Sequence, residues 1–163
     1  MPKLVKDNQI ATDDWNLVEV IENLSELSAG KNIVPLSFWL ENVNTLSGNT
    51  DVGVWLNGDE DVSLLADYVN QLALIAIRFP VFMDGRGFSS ARILRERYLF
   101  SGELRAIGNF IRDQLAYLQR CGFNAFSLSD EIDPQGALKS LNDFSEYYQS
   151  AVDQPQPLFR RRG

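Results

Sequence analysis

The residues best equipped for chemistry fall in one stretch, FPVFMDGRGFSSARILRERY, from Phe79 to Tyr98. Asp84, Gly85, Arg86, Gly87, Ser89, Ser90 and Arg92 follow one another through a turn and into a helix. The two glycines permit backbone angles that let main-chain N–H groups crowd inward. Ser89 or Ser90 can cap the helix expected from about Ser89 to Tyr98, whose free N–H groups favour an anion. Arg86 and Arg92 would add planar, bidentate positive charge. Together these make a candidate oxyanion or phosphate site, although the stretch matches neither G-x-x-x-x-G-K-[ST] nor G-x-G-x-x-G. The same residues also have two plainer uses. Asp84 can pair internally with Arg86 or Arg92 while the serines cap and the glycines shape the turn, or the arginine face of the helix can be a protein contact. The residues leave all three open.

Two further loops belong to the same edge if the strands run parallel, because ligands in parallel α/β sheets sit beyond the carboxyl ends of the strands. One contributes Asn109, Arg112 and Asp113. The other contributes Asp130, Glu131 and Asp133, which suit a hard cation if another loop adds oxygens, and otherwise form an acidic loop with a helix cap. Arg92 and Arg95 lie three apart, on one helix face, and are expected outside the buried stripe of Ala91, Leu94 and Tyr98. With Arg160, Arg161 and Arg162 of the tail they form a candidate partner contact.

Composition removes several classes of chemistry. The chain of 163 residues has no histidine and a single cysteine, Cys121. The usual general base and the commonest transition-metal ligand are therefore missing, and one thiol cannot form an internal disulfide, a thiolate cage or an iron–sulfur site. Neither a metal nor a cofactor is expected. Cys121 reads as a small buried residue at a helix end, with nearby Arg120 the one feature favouring a reactive thiol.

The net charge of −7 is unevenly spread. Met1 to Ile77 holds three Lys against twelve acidic residues, Arg78 to Arg120 holds eight Arg against four, and the remainder holds four basic residues against six. An acidic chain with an arginine-only central segment does not fit a nucleic-acid binder, which is basic over a broad face. Apolar runs stop well short of a membrane span and no signal-like segment opens the chain, so the expected location is cytoplasmic.

The elements that position these loops follow from periodicity. KLVKDNQIATDDWNLVEV alternates as a β-hairpin about Asp7 and Asn8. NIVPL reads as a strand and SFWLENVNTL as a helix entered at Ser37. DVGVWLNG and the apolar LALIAIRF are strands, the second buried on both faces. DEDVSLLADYVN between them reads as a helix with an acidic first turn. GELRAIG and FNAFSLSD are strands flanking the helix NFIRDQLAYLQRCG, with Asn109 as cap, Ile111, Leu115 and Leu118 inside and Gly122 as stop. Asp133 and Pro134 open the last helix. The expected architecture is a single α/β domain over residues 1–163. It has a mainly parallel sheet of repeated βα units, a less regular hairpin within residues 1–30, and a Pro/Arg tail over 153–163. An open sheet and a partial barrel both satisfy this pattern.

The segments LALIAIRFPVFMDGRGFSSARILRERY and GELRAIGNFIRDQLAYLQRCGFNAF, with QPLFRRR in the tail, are similar to the bacterial domain of unknown function 934 family. Phe88 and Asn124 stand where the family commonly has Tyr and Asp. The resemblance implies a place beside assimilatory sulfite reductase and other sulfate-assimilation genes, where members are often labelled oxidoreductases of sulfite reduction. It brings no set of catalytic residues. Two functions follow as expectations. One is a non-catalytic accessory that binds sulfite reductase or another sulfate-assimilation protein. The other is a small oxidoreductase-type or anion-binding enzyme taking sulfate, sulfite or a phosphate-like ligand at the Asp84–Arg92 loop.

Overall fold

Asp7 and Asn8 both take left-handed backbone angles, φ 53° and 63°, the pair of positive values that a two-residue hairpin turn requires. They join strands β1 (Lys3–Lys6) and β2 (Gln9–Ala11), which pair antiparallel. Strands β3 (Trp15–Leu17), β4 (Lys31–Pro35), β5 (Val52–Asn57), β6 (Leu74–Phe79), β7 (Glu103–Gly108) and β8 (Ala125–Leu128) then run parallel, each beside its sequence neighbour. The hairpin adds to β8 through β1, giving one eight-stranded sheet in the order β2-β1-β8-β7-β6-β5-β4-β3. This computed structural model describes residues 3–80 and 86–147, and only the backbone of residues 143–147.

The two edge strands are consecutive in the chain. Only Thr12, Asp13 and Asp14 separate the end of β2 from the start of β3. Four Cα steps reach at most about 15 Å, whereas seven strand intervals in a flat sheet would span about 34 Å. A flat sheet is therefore impossible and the sheet must curl until its edges meet. The directions agree, since β2 and β3 both run with the parallel set. Residues 9–17 thus act as one extended segment that pairs first with β1 and then with β4.

Alternation along each strand sorts side chains to two faces. The outer face carries Val34, Val54, Leu56, Ile75, Ile77, Leu104, Ala106 and Phe126 under the helices. The inner face carries Ile33, Trp55, Leu74, Ala76 and Ile107, with Trp15 and Leu17 packed on them. Glu103 and Arg105 share the parity of Ile107 and so also point inward. The Arg105 side chain is only 3% exposed and donates to both Asp13 oxygens at 3.1 Å and, through Nε, to Glu103 Oε2 at 2.8 Å. Lys6 Nζ reaches the other Glu103 oxygen at 3.1 Å. Two cations and two carboxylates therefore balance, Lys6 from the surface and the other three from within, and Asp13 ties the edge segment to β7.

The connections are less regular than repeated βα units. Helices α1 (Leu36–Glu41) and α2 (Val43–Leu46) join β4 to β5, α3 (Arg86–Arg92) follows β6, α4 (Leu115–Cys121) follows β7 and α5 (Pro134–Tyr147) follows β8. The helix expected over DEDVSLLADYVN is instead two 3-10 turns, Val62–Leu65 and Val69–Gln71. Its buried residues Val62, Leu65, Val69 and Leu72 are spaced three, four and three apart, a stripe that a continuous α-helix would also bury, so their pattern does not foretell the break. The Asp61 side chain accepts from the Ser63 N–H and hydroxyl and sets the start of the first turn. These hydrogen bonds hold the Asp61 carboxyl below its usual range.

Asp13→Ala should cost about 2–3 kcal/mol in urea unfolding, at the low end for breaking a buried pair because Glu103 stays with Arg105. An unchanged midpoint would show that the Asp13–Arg105 bond does not hold the edge closed.

Candidate functional site

Helix α3 starts at Arg86, the first residue described after Pro80, and not near Ser89 as its periodicity suggests. Ser89 and Ser90 therefore lie inside the helix and do not cap it. Ser89 faces solvent, while Ser90 joins Gly87, Ala91 and Leu94 on the buried stripe. Gly87 needs its hydrogen for space and not for an unusual backbone angle. A Cβ there would collide with the Phe79 ring, and Gly87 also abuts Gly58 on the loop after β5. Asp84 and Gly85 of the expected anion loop lie outside the described residues, as do Arg160, Arg161 and Arg162.

The helix continues as a π-helical turn, Ile93–Arg97, and this widening changes the role of Arg95. Expected on the outer face, Arg95 folds back under the turn. Its Nε donates to the Gly122 carbonyl at 2.9 Å and Nη1 to the Phe100 and Gly102 carbonyls at 2.8 and 2.9 Å. Nη2 donates to Asn124 Oδ1 at 3.2 Å. One guanidinium thus ties together three backbone carbonyls from two loops. Burial pulls its pKa down, against the opposing influence of Asp7. Tyr98, expected inside, is only half-buried.

Arg92 keeps a surface position. Its side chain is 36% exposed and reaches Glu96 at 3.4 Å. Arg92 from α3, and Tyr117 and Arg120 from α4 itself, all favour the charged form of the Cys121 thiol. Burial outweighs them and pushes the thiol up, so it reads as structural. Across the α3–α4 contact the Tyr117 ring meets Phe88 edge-on, centroids 4.9 Å apart, and Arg120 lies 5.9 Å from the Tyr117 centroid. Tyr117 remains 43% exposed. The α3–α4 face therefore presents a tyrosine flanked by Phe88, Arg92 and Arg120.

The second candidate loop also differs from its expectation. Gly108 ends β7 at φ 94°, and a Cβ there would strike the Phe79 carbonyl. The Asn109 N–H pairs with that carbonyl at 2.9 Å, so Asn109 is not the cap of α4. A 3-10 turn, Arg112–Gln114, precedes the helix, and Gln114 Oε1 accepts the Ile111 N–H. Ile111, expected inside, is 60% exposed. Arg112 turns toward α5 and donates from Nε to Ser140 Oγ at 2.8 Å, while Asp113 stays at the surface.

This turn and the end of β8 flank an open groove of about 540 Å³. Phe110, Ile111 and Gln114 line one side, and Ser129, Asp130 and Glu131 the other. Asp133 stands apart, accepting the Gly136 N–H as the cap of α5. The structure thus brings Asn109 together with Asp130 and Glu131, and does not bring Arg112 or Asp113 with them. Among the described residues no cluster of three or more acidic or thiol side chains could hold a metal ion.

A family description, bacterial protein of unknown function (DUF934), matches residues 53–159. The chain belongs to the DUF934 family. No curated protein matches it. The DUF934 match runs from β5 onward, so it takes in the α3–α4 face, the β7–β8 groove and Arg105, and leaves Asp13 and the edge segment outside. Asn124, just before β8, is fully used by the fold. Its Oδ1 accepts from Leu104 N–H and Arg95, and its Nδ2 donates to Asp7. A carboxylate would satisfy the first two bonds, so the fold calls for an acceptor oxygen at this position.

Sequence reading missed Arg78, which stacks 4.5 Å from the Trp55 centroid and pairs with Glu19 at 2.8 Å over the cavity beside Ser37 and Glu41. The period-two parity of Trp55 and Arg78 places both on the inner face, but only the sheet register makes them neighbours.

Arg95→Lys should lower stability by about 3 kcal/mol, since a lysine cannot span the separated carbonyls. Denaturation at wild-type midpoint would return Arg95 to the surface. Cys121 should react with a disulfide reagent at pH 8 only after urea unfolds the chain. Prompt stoichiometric labelling of the native protein would contradict its burial.

Proposed function

We propose that this protein is an accessory of assimilatory sulfite reduction that docks sulfite reductase through the α3–α4 face. The observation that carries the reading is the half-exposed Tyr117 held between Phe88 and Arg120, with Arg92 beside it. Tyrosine and arginine are the side chains most enriched where interfaces concentrate their binding energy. A ring fixed by its neighbours also loses little conformational freedom on binding. The face belongs to the arginine-rich central segment of an otherwise acidic chain, so a complementary partner surface is acidic with an apolar centre.

The choice of partner rests on the resemblance, which places members of the family beside assimilatory sulfite reductase genes. The competing anion-binding reading asked for arginines available to a ligand. Of the arginines named for it, Arg112 is engaged with Ser140 and Arg92 with Glu96. Leu99, 72% exposed at φ 59°, adds an apolar side chain at the end of the same helical segment. A leucine gains nothing for the fold there and costs backbone strain, a combination found at functional surfaces.

Tagged protein used as bait in an extract of its host grown on sulfate should retain sulfite reductase. The double variant Arg92→Glu/Tyr117→Ala should reduce the recovery at least about tenfold, a loss of hot-spot size, with an unchanged far-ultraviolet dichroism spectrum. Recovery of no sulfite reductase, or equal recovery by the variant, would overturn the proposal.

A further inference from the structure

Among the described residues three that are not glycine take left-handed backbone angles, Asp7, Asn8 and Leu99. Asp7 and Asn8 tolerate the region because short polar side chains bond locally there. Leu99, at φ 59°, has no such compensation. It follows Tyr98, the cap of the π-helical turn, at the position where helices place glycine or asparagine for this angle. A branched side chain strains the backbone there, and at 72% exposure it buries too little apolar surface to offset the strain. A single exposed leucine is ordinary on a protein surface. A single exposed leucine held at a strained angle is not, and such strain gathers at functional positions.

The fold also holds this leucine firmly. On one side the Tyr98 N–H donates to the Ile93 carbonyl at 3.0 Å. On the other the Phe100 N–H donates to the Leu94 carbonyl at 2.8 Å, Arg95 Nη1 donates to the Phe100 carbonyl at 2.8 Å, and the Phe100 side chain is buried. Arg97, two residues earlier, is exposed and has no hydrogen-bond or ion-pair partner among the described residues. A fixed apolar side chain beside an uncommitted guanidinium is complementary to one kind of protein surface. We propose that Leu99 is an anchor of the docking contact and enters an apolar pocket of the partner, with a carboxylate at the pocket rim for Arg97. This rests on the docking reading and adds what the partner must present. Leu99 lies about 10 Å along the helix axis from Arg92, so a contact of standard size, about 800 Å² on each partner, covers both. A side chain on a backbone already fixed also loses little freedom on binding.

The test pairs thermal unfolding of the full chain with recovery of sulfite reductase from the host extract. Leu99→Gly and Leu99→Asn both suit the left-handed angle and both remove the apolar side chain. Each should melt about 2–4 °C above wild type, the scale of one relieved strain in a chain of this length. Each should also recover about tenfold less sulfite reductase, as when an interface anchor is lost. Leu99→Met keeps an apolar side chain and should recover as much as wild type. Arg97→Glu should lower recovery with an unchanged melting temperature. The proposal is overturned if both polar-tolerant variants melt at or below wild type, because the leucine then serves the fold. It is equally overturned if they, or Arg97→Glu, recover as much as wild type, and in that case the docking reading itself still stands. Wild-type bait that retains no sulfite reductase is the separate failure of the docking reading, and the anchor falls with it.

Discussion

The bond between Asp13 and Arg105 is the interaction on which the rest of the architecture depends. Three residues must carry the chain between the two edges of an eight-stranded sheet, and that reach forces the sheet to curl. A curled sheet encloses its inner face, and a charge enclosed there must be neutralised locally. Arg105 meets that need from β7 with Glu103 at one side and Asp13 at the other, and Lys6 balances Glu103 from β1. The geometric closure and the electrostatic closure are thus the same contact. An edge segment that pairs with both neighbours also leaves few open strand groups for unwanted association.

Arginine does much of the joining in this protein. Arg95 binds three carbonyls and an amide oxygen, Arg112 braces the turn before α4 against α5, and Arg78 stacks on Trp55 while pairing with Glu19. Each uses the rigid fork and the flat face of the guanidinium, which lysine lacks. Half of the eight arginines from Arg78 to Arg120 therefore serve joints within the fold. Of the others, Arg92 lies with Tyr117 on the α3–α4 face, and Arg86 and Arg97 are exposed.

The π-helical turn after α3 shows how one backbone adjustment reorganises a site. The extra residue per turn draws the Arg95 side chain beneath the helix end, where the Phe100 and Gly102 carbonyls need a donor. It also displaces Tyr98 from the core stripe that a 3.6-residue period assigns to it. Such widened turns occur frequently at functional positions, and here the turn lies beside the face that carries Arg92.

Local chemistry in the sequence determined much of this protein. The Asp7–Asn8 hairpin, the five parallel strands from β4 to β8, the glycine stop at Gly122 and the Asp133–Pro134 helix start are legible because each depends on the preferences of a few adjacent residues, whereas β3 reads as part of the hairpin. The absence of histidine and the single cysteine limit its chemistry in any fold. Tertiary structure decided the remainder. Periodicity could not distinguish 3-10 turns from a helix at Val62–Gln71, because burial at intervals of three and four residues occurs in both. Nor could it place Arg95 inside, since its acceptors come from residues 100, 102, 122 and 124. Asn109, Asp130 and Glu131 were visible as separate loop residues, but only the parallel pairing of β7 and β8 brings them to one groove. Asp13 and Arg105 are 92 residues apart; no local pattern links them, and the closure of the sheet brings them into contact.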